Sequence, residues 1–255
     1  MNKKIKKNTD IMHYSSNEEV QNQNDLLDLM NNSPIPKNQV LSNLGLFLDS
    51  KNLSRILFMD YIYKKIIDSQ GVVMEFGTRW GQNSALFTSL RGIYEPYNRH
   101  RKIIAFDTFS GFPKLNKKDG KSSLMQIGQL NTSAGYEKYL SKIINSLERS
   151  NPINHIKKYE IVKGNAEKSL KEYLKKNPET IISLAYFDFD IYEPTKKCLE
   201  LILPRLSKGS ILGFDELNDP DSPGETLAVN EVFGLNNIRL KRYQYCSRVS
   251  YFIVE

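Results

Sequence analysis

The chain has only two cysteines, Cys198 and Cys246, far apart and outside any C-x-x-C spacing. That excludes a disulfide framework and a thiolate metal site, and it fits a reduced, cytoplasmic setting. No apolar run approaches the ~20 residues needed to span a bilayer. The lysine-rich start, Met1 to Lys7, is not followed by an apolar segment of the kind that makes a secretory signal. Neither a membrane partner nor export is therefore expected. Histidine is scarce, and His13, His100 and His155 each stand alone in a polar context, where an isolated imidazole is read as a surface residue. The net charge of +7 has no focus: lysines are scattered over 3–7, 114–121, 157–158 and 168–176. Without a compact basic stripe interleaved with aromatics, no nucleic-acid partner is expected. Also missing are the G-x-G-x-x-G spacing of dinucleotide folds and the lysine of a phosphate loop.

What is present is a chain of 255 residues, long enough for one generous domain with an appendage. Residues 1 to about 35 are rich in Asn, Ser, Lys and Gln apart from a patch at Leu26 to Met30, and the segment 1–50 is read as a mobile arm or loosely docked cover. A helix is expected over Asn52 to Ile67, where Leu53, Ile56, Leu57, Phe58, Ile62, Ile66 and Ile67 recur at helical spacing. Short apolar runs then read as strands at Val72 to Phe76, Ile103 to Phe106, Ile161 and Val162, Ile181 to Phe187 and Ile211 to Phe214. Helical segments separate them, at Asn83 to Leu90, Tyr136 to Leu147, Ala166 to Leu174 and Pro194 to Leu203, with Pro194 suited to a first helical position. This alternation predicts an α/β fold with a parallel, doubly wound sheet. Two further runs, Ile238 to Tyr245 and Val249 to Val254, break the alternation and predict a closing antiparallel hairpin. The irregular stretch over 111–135 follows a strand and is expected to lie over the ligand edge as a lid.

Carboxylates gather at strand ends, where open α/β sheets bind ligands. Asp188 and Asp190 follow the run ending at Phe187, and Asp215 and Glu216 follow the run ending at Phe214. Such a group suits a hard divalent cation, which prefers oxygen ligands. Extended backbone beyond Asp188 would point Asp188 and Asp190 to one side and put Asp190 close to the metal site as ligand support or proton acceptor; the alternative is a turn residue before the Pro194 helix. After the first strand, Gly77 and Gly81 would let the backbone turn tightly beside a ligand. Asp107, at the end of the second strand, could accept hydrogen bonds from a ribose, or merely cap a turn. It lies 30 residues beyond Gly77, against ~20 in nicotinamide-binding sequences. Asn165 reads either as a helix cap or as an adenine contact, and Trp80 as a cofactor contact or a core filler.

These blocks together resemble a known family. Glu75-Phe76-Gly77-Thr78-Arg79-Trp80-Gly81, Asp107-Thr108-Phe109-Ser110-Gly111-Phe112-Pro113, Gly164-Asn165-Ala166, Asp188-Phe189-Asp190-Ile191-Tyr192-Glu193-Pro194-Thr195, Phe214-Asp215-Glu216 and Pro223-Gly224-Glu225-Thr226-Leu227-Ala228-Val229 follow one another in the order of the macrocin O-methyltransferase (TylF-type) family. The likeness spans about residues 70 to 255. It implies a Rossmann-like class I methyltransferase fold: a mostly parallel seven-stranded sheet with a C-terminal antiparallel hairpin. It also implies S-adenosylmethionine-dependent, magnesium-dependent methylation of a sugar hydroxyl. On that footing Glu75, Gly77, Thr78, Gly81, Asp107, Thr108, Asn165 and Ala166 would hold the cofactor. Asp188, Asp215 and Glu216 would hold Mg2+, and Asp188 or Asp190 would take the proton. The family commonly carries two adjacent aspartates where this chain has Asp215-Glu216. Related enzymes often assemble through their amino-terminal parts, so a homo-oligomer is compatible with the resemblance. The alternatives are an NAD(P)-dependent oxidoreductase and a non-catalytic S-adenosylmethionine-binding module.

Overall fold

The structure is a computed structural model that describes residues 15–255; Met1 to Lys7 and His13 lie outside the described residues. Helix α1 (Asn17–Asn31) comes first, started by a capping box in which Ser16 and Glu19 bond each other's backbone N–H. It has no buried residue, so the amino-terminal segment is helical but packs loosely, as its polar composition implies. Helix α2 (Ser50–Lys64) follows two short 3-10 segments. It buries Phe58, Met59, Ile62 and Tyr63, whereas Leu53 and Leu57 are exposed. The apolar periodicity of this stretch is thus split, and only its second half packs on the sheet.

The remaining order is β1 (Val72–Phe76), α3 (Gln82–Tyr94), β2 (Ile103–Asp107), α4 (Tyr136–Arg149), β3 (Tyr159–Lys163), α5 (Ala166–Lys176), β4 (Ile182–Phe187), α6 (Tyr192–Ile202), β5 (Leu206–Phe214), α7 (Gly224–Phe233), β6 (Lys241–Tyr243) and β7 (Cys246–Ile253). The sheet runs β3-β2-β1-β4-β5-β7-β6. Strands β1 to β5 pair in parallel, while β7 pairs antiparallel with both β5 and β6. The expected closing hairpin is there, with β6 cut to three residues. Helix α6 begins at Tyr192, so Pro194 sits inside its first turn, where a missing N–H still costs no helical bond.

Central strands β1 and β4 are buried along their whole length, which is why their sequences are continuous apolar runs. One face packs Met74, Phe76, Ala185, Phe187, Leu212 and Phe214 against α5, α6 and α7. The other packs Val73, Leu184, Tyr186 and Ile211 against α2 and α3. Strand alternation therefore aims the next residues, Asp188 after Phe187 and Asp215 after Phe214, toward the α2 side.

The carboxyl edge rests on a row of phenylalanines. Stacked ring pairs run Phe106–Phe76 at 5.1 Å, Phe76–Phe187 at 4.7 Å, Phe187–Phe214 at 5.4 Å and Phe214–Phe252 at 6.0 Å between centroids. Offset aromatic contacts of this kind add stability beyond area burial. They also level the strand ends, so that Gly77, Asp107, Asp188 and Asp215 emerge side by side above one apolar floor. Main-chain bonds continue the ladder into these residues: Gly77 N–H donates to Phe106 O, Asp188 N–H to Phe76 O and Asp215 N–H to Phe187 O, at 2.8–3.0 Å.

Candidate active site

Above that floor opens a cavity of about 650 Å³. Gly77, Thr78 and Gly81 line it together with Asp188, Asp215 and Glu216. The glycine loop is held by Asp107. Its Oδ2 accepts from Arg79 N–H at 2.7 Å and its Oδ1 from Phe109 N–H at 2.5 Å, so one carboxylate ties the loop after β1 to the loop after β2. Burial pushes its carboxyl above the usual range, partly offset by these two donors. Gly77 has φ +89°, and a Cβ there would lie 1.9 Å from the main-chain oxygen of Asp188. Only glycine permits that approach.

Thr108 Oγ donates to Gly111 O at 2.9 Å, bending the chain into the 111–135 segment. That segment carries one 3-10 turn and is pinned by buried Asp119, whose Oδ1 accepts from Tyr192 N–H at 2.6 Å. Asn165 caps α5 by accepting from Lys168 N–H at 3.1 Å, and it also lines the cavity beside Ala166. The cap is therefore formed, at a position that also faces the cavity. Trp80 is half exposed at the cavity wall, edge-on to Tyr136 at 4.8 Å, and fills no core. Thr78 Oγ1 is sealed from solvent without a hydrogen-bond partner; a buried hydroxyl of that kind calls for a missing ligand atom.

Glu75 is not on the cavity wall. It is buried under the loop, where Ser84 Oγ donates to its Oε2. Burial pushes its carboxyl up to about 8. An acid whose folded pKa exceeds its unfolded value keeps its proton in the folded state alone, so stability falls as pH rises from 4.5 to about 8. Glu75→Gln removes that slope, roughly 1.4 kcal/mol per pH unit within the window. The variant's thermal midpoint should gain steadily on the wild type's between pH 5.5 and 8.5. Parallel curves would show that Glu75 ionises freely.

The acidic corner is densest. One carboxylate oxygen each from Asp188, Asp215 and Glu216 lie within 4.8 Å of one another. Two arginines, which the sequence reading passed over, face them. Arg55 on α2 donates through Nη2 to Asp188 Oδ2 at 2.9 Å and through Nη1 to Asp215 Oδ1. Arg248 on β7 donates to Glu216 Oε1 at 2.6 Å. Tyr186 OH donates to Asp215 Oδ1 at 2.6 Å. Buried Glu225 of α7 accepts from Phe189 N–H at 2.9 Å and, weakly, from Glu216 N–H at 3.5 Å, and so braces both acidic loops.

These surroundings split the carboxyls. Burial and the charge of Asp215 push Asp188 up to about 7. Burial also opposes ionisation of Asp215, but Arg55 and hydrogen bonds from its neighbours outweigh it and hold Asp215 at about 2. Burial, with the charges of Asp190 and Asp215, pushes Glu216 far above the carboxylate range. Asp190 lies at φ +60°, so the chain turns there instead of staying extended, and the expected same-side projection with Asp188 does not arise from strand alternation. Asp190 is nonetheless buried on the cavity wall, close enough to Asp188 and Glu225 for burial and their charges to raise its pKa.

Two solved structures of CalS11 resemble the chain along nearly its full length. One, described as a calicheamicin methyltransferase, has 41% identity and a TM-score of 0.92, covering 95% of this chain and 94% of that one. The other, described as a TDP-rhamnose 3'-O-methyltransferase, has 38% identity and a TM-score of 0.84, covering 95% and 96%. The chain belongs to the macrocin O-methyltransferase (TylF-type) family. It is an O-methyltransferase, which sets aside the nicotinamide-dependent oxidoreductase alternative. The O-methyltransferase NovP shares the fold at 14% identity and a TM-score of 0.56, over 78% of this chain and 79% of that one. No family model and no curated protein sequence matches the chain.

Within this methyltransferase, His100 and His155 are exposed, as isolated histidines should be. Lys158, by contrast, is not a solvated surface lysine. It is buried, 2.5 Å from Glu148, with Arg91 on the same carboxylate. No described helix is long and apolar enough to cross a membrane.

Proposed function

We propose that this enzyme transfers the methyl group of S-adenosylmethionine to a hydroxyl of a sugar, using a divalent cation at Asp188, Asp215 and Glu216. The observation that carries the reading is that the glycine loop and Asp107 share one cavity with the acidic corner. The sugar as acceptor is supported by the likeness to CalS11, whose acceptor is TDP-rhamnose.

Gly77, Thr78 and Gly81, with Asp107, Thr108, Asn165 and Ala166, would hold the cofactor. Asp107 aligns the glycine loop and keeps lone pairs for ribose hydroxyls, while unpartnered Thr78 Oγ1 awaits a ligand atom. Glu75 supports the loop from below.

The acidic corner fits a cation by its own chemistry. Asp188, Asp190, Asp215, Glu216 and Glu225 crowd there against Arg55 and Arg248, and Glu216 Oε2 is sealed from solvent without a donor. Five carboxyl groups against two guanidiniums, offering only oxygen, suit a hard ion such as Mg2+. When bound, the ion would supply positive charge that makes an acceptor hydroxyl easier to deprotonate. Asp188, near neutrality, is placed to take that proton, and Asp190 supports it. Positioning of methyl donor and acceptor is worth ~7–11 kcal/mol in favourable cases. The 111–135 segment, through Gly111, Phe112, Leu124 and Leu130, forms a wall of the cavity and acts as its lid. Ser15, Glu19 and Lys51 border the same cavity, which supports the amino-terminal segment as a cover.

The test is calorimetric titration of S-adenosylmethionine into the protein with and without magnesium, followed by an acceptor screen among nucleotide-sugars and glycosides. Absence of binding in both conditions would sink the cofactor assignment. Asp107→Ala removes two charge-assisted bonds worth ~1.5–3 kcal/mol each and should weaken the cofactor at least ~10-fold. Unchanged affinity would mean that Asp107 serves only the turn.

A further inference from the structure

Arg55 has no part in the methyl transfer outlined above, yet it makes the most committed contacts in the acidic corner. It reaches from α2 to carboxylates on two different strand ends, Asp188 after β4 and Asp215 after β5. Its guanidinium also lies 5.9 Å from the centroid of the Tyr186 ring. A guanidinium presents fixed parallel donors that suit paired carboxylates. Here it spends them on two of the three residues that would ligate a metal. Arg248 is arranged differently: it takes one oxygen of Glu216 and leaves the other without a donor.

Resting on the metal reading above, we infer that Arg55 is the resident cation of the metal-free site, and that a divalent ion binds Asp188 and Asp215 by displacing it. The arginine therefore sets the metal affinity. Both cations need the same two carboxylates, and neither is well placed beside the other, since like charges a few ångströms apart repel strongly in a partly desolvated site. The fold lets Arg55 leave. It sits on the first half of α2, where no residue is buried, whereas the anchors Phe58, Met59, Ile62 and Tyr63 lie on the second half. Its side chain is 25% exposed, so withdrawal toward solvent leaves the core intact. Once it withdraws, Asp188 and Asp215 lose their counter-charge together, which makes the exchange one event.

A fixed strut gives the opposite sign. If Arg55 only holds the two carboxylates in position, removing it should weaken metal binding. The test is calorimetric titration of Mn2+ alone into metal-stripped wild type, Arg55→Gln and Arg55→Lys, with thermal unfolding as the check on folding. Displacement requires Arg55→Gln to bind Mn2+ at least about tenfold more tightly than wild type. Arg55→Lys, which keeps the charge and loses the fork, should fall between them; it carries the comparison if the glutamine variant does not fold. Equal or weaker binding in the variants overturns the displacement while leaving the metal site standing. No binding to wild type or to either variant overturns both.

Discussion

Asp188→Asn and Asp215→Asn should each lower kcat by about a thousandfold, close to 4 kcal/mol of barrier, while S-adenosylmethionine binds nearly as before. The two substitutions keep shape and remove charge from the acidic corner while leaving the glycine loop and Asp107 unchanged. Their stabilities should diverge. Asp215 is the strongly ionised member, held at about 2 against burial by Arg55 and neighbouring hydrogen bonds. Losing its charge leaves Arg55 half-paired, and breaking a buried pair from one side costs ~3–5 kcal/mol, less here because Arg55 is partly exposed. Asp188 sits near 7 because burial and Asp215 resist its charge. Asparagine relieves that repulsion, so Asp188→Asn should unfold at or above the wild-type temperature at pH 8. A protein that is no less stable but inactive would mark Asp188 as a residue kept for chemistry at the expense of stability. Activity within a few-fold of wild type in Asp188→Asn would remove it from the reaction.

Much of this site is legible in the sequence because backbone periodicity carries it. Phe-Gly at 76–77, Phe-Asp at 106–107, Phe-Asp at 187–188 and Phe-Asp at 214–215 are each an apolar strand end followed by a cavity residue. The period-2 alternation that buries the phenylalanine turns the next side chain to the other face. Parallel register then brings the four together. The arginines were not legible for the same reason. Arg55 lies 133 residues before Asp188 and Arg248 lies 32 after Glu216, and no local pattern links a helix or hairpin side chain to a distant strand end. One signal was available in hindsight: Arg55 stands inside an otherwise apolar-periodic helix, where a charge asks for a partner. Asp190 failed differently. Its left-handed backbone belongs to the turn into α6, and helix entry fixes that geometry where strand alternation no longer applies. Glu225 reads in the sequence only as part of a Pro-Gly element, although its carboxylate braces both acidic loops.

Gly77→Ala should be the most damaging single-atom change, destabilising the protein by about 3–5 kcal/mol. Two costs add. The first is conformational: at φ +89° a side chain is strained by ~1–2 kcal/mol. The second is steric. The new Cβ would sit 1.9 Å from Asp188 O and 2.5 Å from Asp188 C, and these are main-chain atoms held by the Asp188 N–H to Phe76 O bond, so neither side can yield cheaply. Gly128 separates the two terms. It has nearly the same backbone, φ +81°, and nothing within 4 Å of its notional Cβ, so Gly128→Ala should report the conformational cost alone. Urea unfolding of both variants gives the difference directly. If Gly77→Ala loses no more than Gly128→Ala, the loops after β1 and β4 do not meet this closely. If it loses the extra energy yet folds, relief must come from moving the glycine loop away from Asp188. S-adenosylmethionine and divalent-metal affinity should then fall together, because on the proposed assignment that single backbone contact sets the distance between the methyl donor and the acidic corner.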